Sequence, residues 1–341
     1  MTLSASPLYN SILRCDSALS PADISAWLLS LRGRPYVPGS GYDVGAVVRA
    51  VAGGRSYYCA GVNVENADMA LSVHGEGAAL SAMLAALGKG ALVAEAWVMA
   101  APRSLKPDST DPRAGDGGTC CGRCRQHLWE FAVDADVKIH TIALNGSVKT
   151  QTIDELLPGG FSFASFNSDA VNDRAAAALI APPDDEAVRA RLLREAAPDS
   201  AGIFKWLQSL QPVDYASGHA QAVVLVLDNN AAVAGVRLED AAFTGLSAVQ
   251  GAVASAVTAF GTFRVVHCYA LTTGAGVADN AVAPLPLSSL QVLRAFGANR
   301  LPVTLFTPTG APYHTNVTAA AAYAPTHAKP FLTLRDGQVS A

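Results

Sequence analysis

The sequence predicts an α/β protein made of two copies of one unit, the second stripped of the first one's chemistry. Two observations carry this. Val- and Tyr-rich runs that suit strands, such as A-V-V-R-A-V and S-Y-Y-C-A-G-V, alternate with Ala/Leu-rich runs such as G-A-A-L-S-A-M-L-A-A-L that suit buried helices. The run A-V-V-L-V-L-D-N-N-A-A-V-A-G-V-R-L-E-D-A-A-F, from Ala222, also lies over A-V-V-R-A-V-A-G-G-R-S-Y-Y-C-A-G-V-N-V-E-N-A with a small gap, setting Gly235 on Gly61 and Glu239 on Glu65. A chain of 341 residues, 50% hydrophobic and 15% charged, suffices for two ordinary domains with buried cores.

The elements follow in order. Ser20 caps a helix with Pro21 at its first position and Asp23 in its first turn; Ile24, Trp27, Leu28 and Leu31 recur at helical spacing, and Gly33 ends it. Residues Val44 to Val51 and Tyr57 to Val64, around A-G-G-R, read as a β-hairpin, so N-V-E-N-A closes a strand. A helix from Val73 to Leu87, closed by Gly88, leads to a buried strand L-V-A-E-A-W-V-M-A in a strand–helix–strand crossover. Arg103 to Gly118 form a long polar loop before a cysteine-bearing helix; V-K-I-H-T-I-A-L is then a strand and N-G a turn. This places a first domain over 1–165 and a charged linker over 166–213, with A-V-R-A-R-L-L-R-E-A-A as its helix. The second copy takes 214–341. In that copy His74 falls on Ala248 and Glu76 on Gln250, while Pro286 and Ser289 replace Cys121 and Cys124.

The chemistry lies in the first copy. His74 and Glu76 open one helix; Cys121 and Cys124, three apart, open another and share a helical face, where the positive end of the helix dipole favours thiolates. One imidazole and two thiolates give Zn²⁺ three ligands and leave a fourth position for water, the open arrangement of a catalytic site. Glu76 is left for proton transfer. H-x-E followed by P-C-x-x-C is the signature of zinc-dependent base deaminases, and V-H-G-E-G with T-C-C-G-R-C nearly completes it. With N-V-E-N-A ahead and E-L-L-P behind, the segment resembles the cytidine deaminase family. Gly75 stands where the family usually has Ala, and Cys120, a third thiol beside the ligands, where it has Pro.

The resemblance implies two three-layer α/β/α domains, each a mixed sheet flanked by helices, the second catalytically degenerate. It implies one zinc per chain on His74, Cys121 and Cys124, and Glu76 shuttling protons as zinc-activated hydroxide turns cytidine or deoxycytidine into uridine or deoxyuridine plus ammonia, in pyrimidine salvage. Asn63 and Glu65, two apart on one strand, hold the ribose 3′-hydroxyl and the base; Tyr42 takes the place of a pocket Phe, though a Tyr before a strand is also ordinary core. The long members of the family form homodimers that mimic the tetramer of the short ones. Arg125 and Gln126 belong to the motif as structural residues, and His127 and His140 stand apart from the metal.

Composition narrows the partners. A net charge of −4 without a Lys/Arg cluster argues against nucleic acid and for a small neutral nucleoside. Six cysteines, three of them bunched, read as metal usage in a reducing compartment, with Cys15, Cys59 and Cys268 as buried thiols. No apolar run reaches membrane-span length and the N-terminus lacks a secretory pattern, which places the protein in the cytoplasm, away from membranes. The competing readings are a deaminase of another cytosine-containing nucleoside or of polynucleotide, and a zinc-stabilised non-catalytic binding protein, against which the intact Glu76 argues.

Overall fold

The computed structural model describes residues 10–15, 18–163, 184–210, 212–214, 217–274, 276–323, 332–335 and 338–340. The first half runs β1 (Leu13–Arg14), α1 (Pro21–Leu31), β2 (Tyr42–Ala52), β3 (Arg55–Val62), α2 (Gly75–Leu87), β4 (Leu92–Pro102), α3 (Gly122–Phe131), β5 (Lys138–Ile142) and β6 (Val148–Thr152). The second runs α4 (Asp185–Leu192), β7 (Leu193–Arg194), α5 (Ser200–Ser209), β8 (His219–Leu227), β9 (Ala232–Val236), α6 (Ala248–Phe260), β10 (Val265–Gly274), β11 (Ala281–Val282), α7 (Leu287–Phe296), β12 (Pro302–Phe306) and β13 (Pro312–Asn316). Two further strands, β14 (Leu332–Arg335) and β15 (Gln338–Ser340), form a small sheet in which β14 pairs with β11 and β15 with β14.

Each half builds a six-stranded mixed sheet, in the order β1-β3-β2-β4-β5-β6 and β7-β9-β8-β10-β12-β13, which is the same order element for element. The parallel pairs are β4 with β5 and β10 with β12, and all other neighbours are antiparallel. A parallel pair needs a crossover, which α3 and α7 supply. The β2–β3 turn is Gly53-Gly54, with φ of 52° and 75°, values that only glycine takes without cost and that match the twist of a tight hairpin. Helix α1 has the predicted capping box between Ser20 and Asp23 and buries Ile24, Trp27, Leu28 and Leu31.

The stretch expected as a linker contributes to the second sheet. Its helix stops at Leu192, Leu193–Arg194 pairs with β9, and α5 packs as α1 does. Arg14 lies 4.2 Å over the Trp27 ring and Arg194 4.5 Å over Trp206, and both indole N–H groups donate to a backbone carbonyl. A two-residue strand is too short to show a period, so the sequence pattern could not reveal it. The boundary placed near residue 165 lies outside the described residues.

The repeat's register also needs correction. Bridges join Val64 to Val73 and Leu238 to Leu246, so the intervening loop is one residue shorter in the second copy. His74 caps α2 and Ser247 caps α6, which puts Ser247, not Ala248, at the His74 position and Val249, not Gln250, at the Glu76 position. Pro286 caps α7 as Cys121 caps α3, leaving Ser289 opposite Cys124 as expected.

All of α2 from Gly75 to Leu87 is buried. A helix apolar on every side needs cover on every side. Strands β2 and β3 lie against one face and α4 and α6 against the other. A Cβ on Gly61 would stand 2.2 Å from Ala79 N, and one on Gly235 2.3 Å from Ala248 O, so each sheet approaches its helix at backbone contact. Polar ties join the halves: Arg34 donates to the Thr258 and Ala259 carbonyls at the end of α6 (2.7 and 2.9 Å), Thr258 Oγ1 accepts from Val62 N, and Gln250 Nε2 donates to Leu71 O (3.0 Å). Residues 1–165 expressed alone would expose the face of α2 that α6 covers, and are expected to aggregate or self-associate. Size-exclusion chromatography with light scattering checks this; a soluble, fully active monomer would contradict it.

Candidate metal and active site

The site gathers at the N-termini of α2 and α3. His74, the N-cap of α2, makes no side-chain cap and turns its imidazole toward the cysteines. Its Nδ1 lies 3.3 Å from Cys121 Sγ and 3.3 Å from Cys124 Sγ. Among the described residues this trio is the group of three His, Cys, Asp or Glu side chains arranged to hold a metal, with donor atoms within 4.8 Å of one another. A tetrahedral Zn²⁺ with bonds of about 2.0–2.1 Å to nitrogen and about 2.3 Å to sulfur needs donors roughly 3.5–3.8 Å apart, within a few tenths of an ångström of the two distances here. Two sulfurs and one imidazole also match the chemistry zinc prefers. The residues fit the ion.

Hydrogen bonds from Cys124 and His74 hold Cys121 down to about 3, while the bond to Cys121, and then burial, push Cys124 well up. The bond to Cys121 raises His74. Burial, with the Glu76 carboxylate beside it, pushes Cys120 up. Glu76 is 4% exposed, and its nearby carboxyl helps push the Cys120 and Cys124 thiols up. The third thiol therefore faces the carboxylate and lies outside the trio. At Gly75 a Cβ would come 3.1 Å from Val44 Cγ1, so the missing methyl relieves crowding against β2.

Asn63 and Glu65 sit just past β3, each held by backbone. Asn63 Oδ1 accepts from Val44 N (2.9 Å) and its Nδ2 donates to Tyr42 O (2.9 Å). Glu65 Oε2 accepts from Gly39 N (2.8 Å) and Ser40 N (3.2 Å). Burial opposes the Glu65 charge, but hydrogen bonds from Ser40 and Gly39 bring its carboxyl below the usual range. Tyr42 opens β2, half-exposed, and burial raises its phenol. The 103–118 loop folds down near it: Arg103 pairs with the buried Asp43 (2.8 Å), Ala114 O accepts from Asn145 N, and a Cβ on Gly118 would stand 3.6 Å from the Tyr42 hydroxyl. That loop leads directly into Cys120.

Several contacts carried no sequence signal. Arg123, between the cysteines, donates to Thr244 O (3.1 Å) and Ser72 O (3.2 Å), tying α3 to the His74 segment and to the second half. Arg125 donates to Cys120 O and Leu156 O, and Gln126 to Phe161 O, in the structural roles expected. His127 pairs with Asp240 of the second half at 3.0 Å, both buried, and His140 stacks on Trp97 while bonded to Glu95. Cys59 and Cys268 are buried, whereas Cys15 is half-exposed.

No family model matches the chain. The cytidine deaminase of Mycoplasma pneumoniae is 32% identical over 126 residues, covering 37% of this chain and 82% of that protein. That of Halalkalibacterium halodurans is 32% identical over 139 residues, covering 41% of this chain and 92% of that protein. The chain belongs to the cytidine deaminase family. Among solved structures, cytidine deaminase from Burkholderia pseudomallei is 24% identical, covering 42% of this chain and 100% of that one at a TM-score of 0.33. The Mycobacterium leprae enzyme is 27% identical, covering 41% and 99% at a TM-score of 0.31. Cytidine deaminases are zinc enzymes, and the His74, Cys121 and Cys124 group of this chain could hold one zinc ion.

Cys121→Ala and Cys124→Ala are each expected to lose most bound zinc, while Cys120→Ala keeps about one ion per chain. Metal analysis of the purified variants decides it; a zinc-free Cys120→Ala with a loaded Cys121→Ala would move the ligand register by one residue.

Proposed function

We propose that the chain hydrolyses cytidine and deoxycytidine to uridine and deoxyuridine with release of ammonia, a step of pyrimidine salvage. His74, Cys121 and Cys124 would hold the zinc, which supplies Lewis acidity that makes a water nucleophilic near neutral pH. The supporting observation is a buried carboxylate, Glu76, set against a Cys–Cys–His trio spaced for that ion.

Glu76 does the proton work. Its carboxylate accepts a proton from the attacking water, passes it to the ring nitrogen next to the amine-bearing carbon, and then carries the water's second proton to the departing amine, so ammonia leaves and a carbonyl remains. General acid–base catalysis of this kind contributes about 10²–10⁴ in rate. Asn63 and Glu65 position the nucleoside. Backbone bonds hold both side chains in place, and in this reading the second Nδ2 hydrogen of Asn63 and the Glu65 carboxylate serve the ribose hydroxyls and base. Tyr42 packs beside the base at the pocket edge.

No helix among the described residues is long and apolar enough to cross a membrane. We place the protein in the cytoplasm, consistent with six free thiols, and read the assembly as a homodimer in which the zinc-free half stands in for a neighbouring subunit.

Glu76→Ala should keep its zinc and its melting midpoint but lose about 10²–10⁴ in kcat, read as the fall in cytidine ultraviolet absorbance. A variant turning over at the wild-type rate would remove Glu76 from proton transfer. Cytosine should be at least about 10³-fold poorer than cytidine in kcat/KM, because without ribose the contacts assigned to Asn63 and Glu65 are lost. Equal efficiency on both would refute the ribose assignment.

A further inference from the structure

The second half keeps a cavity beside its own helix N-termini. It measures about 470 Å³, within the roughly 300–1,000 Å³ typical of small-molecule sites, and Ser217, Arg237, Glu239, Phe243 and Ser247 line it with Arg123 from the first half. Strand register makes Ser217, Arg237 and Glu239 the counterparts of Ser40, Asn63 and Glu65. The carboxylate is held in the same way: Glu239 Oε2 accepts from Ser217 N at 3.0 Å, as Glu65 accepts from Ser40. The metal chemistry is gone, with Ser247 for the histidine and Pro286 for a cysteine.

What changes is charge. A neutral amide at Asn63 becomes the Arg237 guanidinium, which donates to Ser217 Oγ (3.3 Å) and lies 3.6 Å from Glu239. Arg123 adds a second cation whose hydrogen bonds go to two neutral carbonyls. Asp240, also at this wall, turns its fully buried carboxylate to His127 and Thr244, away from any occupant. Two arginines against the single buried Glu239 carboxylate, itself tied to Ser217 N, favour an anion, and guanidinium is suited to phosphate. Leu71, Leu238, Leu246 and Pro286 form an apolar wall. Phe243 stands at the mouth, 81% exposed, with φ of 56°, a left-handed backbone that a bulky residue rarely adopts. Such a ring is a ready stacking surface for a planar base.

We propose that this cavity binds a nucleoside 5′-phosphate, with its phosphate on Arg237 and Arg123, its ribose hydroxyls at Glu239 and its base against Phe243. The nucleoside part rests on the cytidine reading of the first half; the phosphate part rests on the two arginines.

The test is calorimetric titration of the zinc-loaded full chain with uridine 5′-monophosphate, which deamination leaves untouched, and in parallel with uridine and with inorganic phosphate. Uridine 5′-monophosphate should bind with a component that Arg237→Asn weakens about tenfold or more and Phe243→Ser about fivefold, while inorganic phosphate binds at least about tenfold more weakly than the nucleotide. Because Phe243 is exposed, its variant gives a reading even if Arg237→Asn fails to fold. Nucleotide binding indifferent to both substitutions, no binding at millimolar concentration, or inorganic phosphate binding as tightly as the nucleotide would each overturn the proposal. Absence of cytidine turnover in the wild-type chain would instead sink the deaminase reading and leave the titration to stand by itself.

Discussion

The burial of α2 between its own sheet and the helices of the second half is the constraint on which the site depends. His74 and Glu76 occupy its N-cap and first turn, so their positions are only as fixed as that helix. Its composition, G-E-G-A-A-L-S-A-M-L-A-A-L, has no polar face to offer water, and the small residues let β3 approach until Gly61 touches the helix backbone. Packing of this closeness leaves little room for the N-terminus to shift, and metal centres with preset ligands require that. Truncating a buried leucine such as Leu84 would cost about 2–5 kcal/mol and loosen the ligand-bearing end with it.

The same packing explains why a half without metal chemistry has kept its fold. α6 repeats the all-round burial of α2 and supplies the cover that α2 lacks within its own half. Around that helix pair polar groups join the halves: Arg34 on the α6 carbonyls, Arg123 on Thr244, and His127 on Asp240. The last pair is wholly buried, where removing one member would strand the other away from water at a cost of about 1–3 kcal/mol or more. Loss of catalytic residues thus left the stabilising role of the second half intact, since His-to-Ser and Cys-to-Pro exchanges at the helix caps do not touch the helix contacts.

Electrostatics distinguishes the two pockets built on this frame. Both keep a carboxylate restrained by backbone N–H groups, at Glu65 and at Glu239. One is lined by two cysteines and a histidine suited to a cation, the other by two arginines. One scaffold therefore offers two sites of opposite sign, separated by Arg123, which stands between the zinc cysteines in sequence and lines the second cavity in space.

Local chemistry made much of this protein legible from its sequence. The capped helix at Ser20, the Gly53-Gly54 hairpin and the close of α2 at Gly88 follow from rules that act over a few residues, caps and left-handed turns; the trio His74, Cys121 and Cys124 with Glu76 was expected from H-x-E and C-x-x-C matching the deaminase signature. The repeat was legible too, because strand patterns and the two glycines at backbone contact persist in both copies. Its register at the helix was not, since a one-residue change in the loop after Glu239 shows only when the Leu238–Leu246 bridge is seen. Nor could sequence assign Leu193–Arg194 to a sheet, turn Cys120 toward Glu76, or join His127 to Asp240. Those depend on which surfaces meet after the chain has folded, and partners more than a hundred residues apart, such as His127 and Asp240, leave no periodic mark on either segment. The sequence determined the chemistry and the elements that carry it; tertiary packing decided what surrounds each reactive group.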